Sequence, residues 1–158
     1  MRADGAGSAR ADGVASAFRR KILIAVSGLP LLVILLSAQD TRTVLDGVYT
    51  EEQAKRGETI YIDHCVRCHG PKLLGGNEVG ALTGPVFNGN WNGVPVSQML
   101  DRVRVTMPLD KPSTMSRQQI ADVLSYIFSF NKIPAGKAEL PRQAEMLNLI
   151  QYKAPKNP

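Results

Sequence analysis

The sequence has few residues that bind metals or form crosslinks: two cysteines and two histidines among 158 residues. A zinc site would need a second Cys/His pair, and a thioredoxin-like thiol pair would need a βαβ setting. Aromatic residues make up only 6% of the chain, so a small domain would need another source of stability. The net charge is +5, but no basic run is interleaved with aromatics, so we expect no nucleic-acid partner.

Both cysteines lie in one five-residue segment, Cys65-Val66-Arg67-Cys68-His69. Two thiols three positions apart, followed by a histidine, form the attachment pattern of a c-type haem. The thiols add across the haem vinyl groups, and the imidazole becomes the proximal ligand of the iron. We therefore predict one covalent haem c held by Cys65 and Cys68, with His69 as an axial ligand and no disulfide.

The N-terminal part has the pattern of an exported protein. Residues 1–21 predict a disordered basic leader, and residues 22–38 form an uncharged apolar run after Arg19-Arg20-Lys21. The run would extend about 25 Å as a helix, just short of a hydrocarbon core of about 30 Å. A signal peptide cleaved after Ala38 and a retained membrane anchor both fit, and we favour cleavage. The expected location is the periplasm, either soluble or anchored to the outer face of the inner membrane.

The exported part is predicted to be all-α. We expect a linker over residues 39–49, a domain over 50–136 and a polar tail over 137–158 that contains at most one short helix. Capping residues predict helices that begin after Thr50, Ser97 and Ser116. Residues 70–95 are rich in glycine and proline, which predicts a long loop.

The order of helix, Cys-x-x-Cys-His, long loop, Met-Pro and C-terminal helix resembles the class I cytochromes c. The resemblance covers about residues 50–136 and implies three to four helices around one covalent haem, with the first and last helices crossing closely. Thr83-Gly84-Pro85 resembles the loop whose proline carbonyl accepts the Nδ1–H of the proximal histidine. The segments around Trp91, Met107-Pro108 and residues 133–136 are similar to small haem subunits or partners of periplasmic quinoprotein dehydrogenases.

The second axial ligand has several candidates. We favour Met107, because the family places its ligand before the last helix and His/Met ligation is typical of electron carriers. Met115 is the second choice, and an open sixth position is a further alternative. Pro85 and Trp91 are predicted to belong to the haem pocket.

The resemblance implies a carrier of single electrons and not an enzyme. Its expected partners are redox proteins, with a periplasmic dehydrogenase as donor and a terminal oxidase or another cytochrome as acceptor. Two alternatives are a haem-bearing subunit of a dehydrogenase complex and a haem enzyme or gas sensor with an open iron position.

Overall fold

The computed structural model describes residues 42–156, which are mostly helical and confirm the predicted all-α class. The leader 1–21 and the apolar segment 22–38 lie outside these residues. Six α-helices and one two-stranded pair make up the described part. The elements are β1 (Arg42–Thr43), a 3₁₀ turn (Val44–Asp46), α1 (Glu51–His64), α2 (Val66–His69), α3 (Gly84–Trp91), α4 (Val96–Thr106), α5 (Arg117–Phe130), α6 (Ala144–Leu147) and β2 (Ile150–Gln151).

Helices α1 and α5 begin at the predicted caps and form the main helix–helix contact. The Thr50 hydroxyl accepts from the Gln53 N–H at 3.1 Å, and Ser116 and Gln119 form a reciprocal capping box. Gly57 lies where the two backbones meet. They approach so closely that a Cβ atom at this position would overlap the carbonyl oxygen of Asp122. The close crossing that the resemblance implied is therefore present, and it fixes the direction of α1 toward the cysteine motif.

A buried carboxylate reinforces this crossing. Asp122, 4% exposed, accepts hydrogen bonds from Gln53 Nε2 at 3.1 Å, Arg56 Nε at 3.2 Å and Gln118 Nε2 at 2.9 Å. Gln53 also bonds to both backbone groups of Leu140. The network therefore joins α1, α5 and the C-terminal segment at one point.

The folded domain is longer than predicted at both ends. Val44, Val48 and Tyr49 are buried, although residues 39–49 were predicted to be a linker. In the tail, the buried side chains are those of Leu140, Leu147, Ile150 and Tyr152. Strands β1 and β2 pair in parallel. Each segment is too short to show a helical or strand period, and each is ordered by contact with the other parts of the domain.

Part of the predicted loop 70–95 is helical. Helix α3 follows Thr83 and has Pro85 in its first turn, where proline is compatible with a helix because its missing N–H is not needed. Its buried face carries Phe87 and Asn88, and the Tyr152 hydroxyl donates to Asn88 Oδ1 at 2.6 Å. The glycines in this segment favoured a loop prediction, but the structure has a helix here whose buried face contacts Tyr152 of the C-terminal tail.

The burial of Tyr152 predicts a loss of stability at alkaline pH. Burial raises the pKa of Tyr152 from 10.0 to about 12. The folded state thus holds the proton more tightly than the unfolded state, and stability falls as the pH rises above about 10. One such group contributes at most about 1.4 kcal/mol per pH unit. Urea unfolding of wild type and Tyr152→Phe between about pH 8 and 11 should give a steeper decline for wild type, and parallel curves would contradict this.

Candidate haem attachment site

One helical turn presents the motif residues together. The Cys68 and His69 N–H groups both donate to the Cys65 carbonyl, at 3.1 and 3.0 Å. Residues at three- and four-residue spacing share a helix face, so the two side chains Cys68 and His69 lie beside Cys65. Cys65 is half-buried against the main hydrophobic core and Cys68 is exposed, and both are free thiols. The turn thus offers two thiols and an imidazole on one side.

The environment of Cys65 differs from that of a reactive thiol pair. Burial, and to a smaller extent the neighbouring thiol of Cys68, raises the pKa of Cys65 from 9.0 to about 11. Redox-active Cys-x-x-Cys pairs instead lower the pKa of the attacking thiol. Within residues 42–156, no three His, Cys, Asp or Glu side chains are grouped so that they could hold a metal ion. The raised pKa of Cys65 is thus the opposite of what a thiol oxidoreductase requires.

The imidazole of His69 is oriented by a backbone carbonyl. Its Nδ1 lies 2.9 Å from the carbonyl oxygen of Gly80. In a neutral imidazole, donation from Nδ1–H to a carbonyl leaves the lone pair of Nε2 available to a metal. The resemblance implied that the carbonyl of Pro85 accepts this hydrogen bond. In the structure the acceptor is the carbonyl of Gly80, so the prediction for Pro85 was wrong. Pro85 lies in the first turn of α3, where carbonyl groups accept hydrogen bonds from N–H groups of the same helix. Gly80 lies before that helix.

The segment after His69 folds back over the end of α1. The Gly75 N–H donates to the His69 carbonyl at 2.9 Å, and the Tyr61 hydroxyl donates to the Gly70 carbonyl at 2.7 Å. Gly75 has φ 67°, and a Cβ there would overlap the Val79 carbonyl. These contacts close the loop and bring Gly80 back to the histidine.

The methionines occupy different environments. Met99 and Met115 are buried in the hydrophobic core, at 2% and 6% exposure, and Met146 is 53% exposed. Met107 is half-buried and directly follows α4, with its N–H donating to the Val103 carbonyl at 2.8 Å. The burial of Met115 is typical of a packing contact at the start of α5.

An ion pair joins the loop that follows Met107 to the turn that carries the two cysteines, residues 65–69. Arg67 Nη2 lies 3.0 Å from Asp110 Oδ2. Arg67 stands between the two cysteines, and Asp110 follows Met107 by three positions. Sequence reasoning missed this pair, since neither residue belongs to a recognised pattern. The contact shows that the loop after α4 lies against α2.

Pro85 and Trp91 are the remaining residues that were predicted to belong to the haem pocket. Trp91 is half-buried at the end of α3, and its ring centroid lies 6.5 Å from that of Phe87. Pro85 is exposed. Pro85 and Trp91 therefore remain predictions as haem contacts.

The chemistry of these residues fits a covalent haem. Two thiols and an imidazole with a free Nε2 are the groups that attachment and proximal ligation require. Four large apolar side chains are exposed in the segments that follow the motif, up to and including the loop after Met107, and a haem would offer an apolar surface to cover such side chains. They are Leu74, Val86, Val105 and Leu109, each between 55% and 78% exposed.

A comparison with protein families gives a match over residues 52–127, to the family described as cytochrome C oxidase, cbb3-type, subunit III. No curated protein and no solved structure matches the chain. Among residues 42–156, no helix has the length and apolar character that crossing a membrane requires.

The matched residues include the complete motif Cys65–His69 and most of the α1–α5 crossing. The match and the helical architecture confirm the predicted family, fold class and cofactor. Such a domain carries haem c by covalent attachment and serves in electron transfer. The chain therefore carries a class I c-type cytochrome domain.

Proposed function

We propose that this protein carries single electrons between periplasmic redox proteins through one haem, with His69 and Met107 as the axial ligands and Cys65 and Cys68 as the attachment points. The main support is the α2 turn, which presents both thiols beside an imidazole whose Nε2 is left free by the 2.9 Å contact of Nδ1 with Gly80. The haem supplies a one-electron centre. With both axial positions filled by the chain, no substrate would reach the iron.

The residues of the candidate site have separate roles in this proposal. The Gly80 carbonyl fixes the ring orientation of His69 and increases its basicity as a ligand. The thioether of Met107 would raise the reduction potential, as methionine ligation does in cytochromes c. Cys65 and Cys68 would keep the group attached in both oxidation states. The chain would thus hold the iron in one coordination during transfer, which suits a carrier.

The proposed partners are a dehydrogenase as donor and an oxidase or another cytochrome as acceptor. Export is supported by the basic flank at 19–21 and the apolar run 22–38, and we retain cleavage after Ala38 as the favoured interpretation. Since residues 42–49 are folded into the domain, only residues 39–41 separate that run from the first strand. A retained run would hold the domain close to the membrane.

Exchange of the axial methionine tests the proposal. We expect Met107→Ala to abolish the Met–iron charge-transfer band of the ferric protein and to lower the reduction potential, because a thioether favours Fe(II). Met115→Ala should keep the band but destabilise the protein by about 2–5 kcal/mol, since it empties a buried site. Visible spectra, redox titration and urea unfolding measure the three effects.

Met146→Ala is the matched control, because this side chain is 53% exposed. It should leave the band, the potential and the stability unchanged. Loss of the band in Met115→Ala but not in Met107→Ala would contradict the assignment and make Met115 the ligand. A high-spin wild-type spectrum without the band would instead favour an open sixth position.

A further inference from the structure

Among the contacts of residues 42–156, one side-chain ion pair links the loop that follows Met107 to the haem-attachment turn, residues 65–69. Arg67 Nη2 and Asp110 Oδ2 are 3.0 Å apart, and the two side chains are 77% and 51% exposed. Arg67 belongs to α2 and Asp110 to the loop between α4 and α5. The pair therefore spans the two segments that carry the proposed attachment points and the proposed distal ligand.

The other hydrogen bonds found in this loop are local. The Lys111 N–H donates to the Pro108 carbonyl at 2.9 Å, and the Thr114 hydroxyl donates to the Lys111 carbonyl at 2.7 Å. The ends of the loop are held by α4 and by the buried side chain of Met115. Local bonds preserve the shape of a loop without fixing its position against another helix, so that position depends in part on the ion pair.

We propose that Arg67 and Asp110 are positioning residues that hold the Met107 loop against the attachment turn and so keep Met107 on the iron. This inference rests on the proposed ligation by Met107. Neither residue contacts the iron in this proposal. The pair instead shifts the equilibrium between a closed loop, with the thioether bound, and an open loop, with the sixth position accessible.

The size of the effect follows from the exposure of the pair. Ion pairs in contact with solvent change an equilibrium by roughly 1.5- to 5-fold. Because salt screens exposed charges, the contribution should fade as ionic strength rises toward about 1 M. A modest, salt-dependent increase in loop opening is thus the expected signature.

Imidazole binding to the ferric, haem-loaded protein measures this opening, since imidazole competes with the methionine for the iron. The variants are Arg67→Gln, Asp110→Asn and the double variant. At low salt we expect each single variant to bind imidazole roughly 1.5- to 5-fold more tightly than wild type, and the double variant no more tightly than the singles. Lys111→Gln and Glu78→Gln are matched charge controls, and both should behave as wild type.

Different outcomes identify different failures. If Met107→Ala binds imidazole no more tightly than wild type, the proposed ligation is wrong. If Met107→Ala binds it far more tightly while the pair variants match their controls, the ligation stands and the positioning role is wrong. Additive effects in the double variant, or effects that persist at high salt, would also overturn it. Should Arg67→Gln fail to acquire haem, Asp110→Asn decides the question, because it leaves the motif intact.

Discussion

Replacement of both Cys65 and Cys68 by alanine is expected to abolish covalent haem attachment. The two thiols are the only ones in the chain, and each would form one thioether bond. Each single variant should keep one bond and a fraction of the haem. Denaturing gel electrophoresis followed by haem staining measures the result, because only covalently held haem stays with the unfolded chain.

The control for this experiment is His64→Ala. His64 adjoins the motif and is exposed at the end of α1, so its loss should leave the stain at the wild-type level. A stained band for the double variant would contradict the assignment of these cysteines. A wild-type protein that is produced with haem-attachment machinery and loses all its haem on denaturation would do the same.

Substitution of Gly57 by alanine is expected to cost about 3 kcal/mol or more of folding free energy, the upper end for overpacking. A methyl group at this position would overlap the Asp122 carbonyl and lie 3.0 Å from the Val123 backbone nitrogen. Backbone atoms of a helix cannot move aside as a flexible side chain can, so α1 and α5 would have to separate. The gain in helix propensity, about 1 kcal/mol, acts in the opposite direction and is smaller.

Gly89→Ala is the matched control. Gly89 lies inside α3, and a Cβ there would have no neighbour within 4 Å. We expect this change to be neutral or to stabilise the protein by up to about 1 kcal/mol. Urea unfolding of the haem-loaded proteins, followed by circular dichroism, compares the two. Equal midpoints for Gly57→Ala and wild type would show that the helices adjust to the added methyl group without cost.

The parts of the fold that were predictable are those with local signals. Thr50 and Ser116 mark the starts of α1 and α5 because their side chains cap the first turn, an interaction within a few residues. The strands β1 and β2 have only two residues each and pair across the whole domain, so no local pattern marks them. Helix α3 was missed for a related reason, since its glycines favour a loop and its buried face contacts Tyr152, a residue distant in sequence.

In the candidate site as well, only the residues with a local sequence signal could be predicted. Cys65, Cys68 and His69 could be predicted because the haem-attachment pattern constrains residue type and spacing together. The acceptor of the His69 Nδ1–H was misplaced, because every residue has a carbonyl group and side-chain identity does not mark the one that is used. The Arg67–Asp110 contact was missed because two charged residues far apart in sequence give no indication that the chain folds them together.

The parallel pairing of β1 with β2 has a consequence for the biogenesis of the protein. Arg42 pairs with Ile150, so the first strand has no partner until Ile150 has been synthesised. Helix α1 likewise waits for α5, which begins at Arg117. Chains emerge N-terminus first at about 5–20 residues per second, so Cys65 and Cys68 emerge several seconds before the elements that complete the fold around them. A chain exported in the same order would present both thiols in an unfolded segment on the outer side of the membrane, before the partners of that segment arrive.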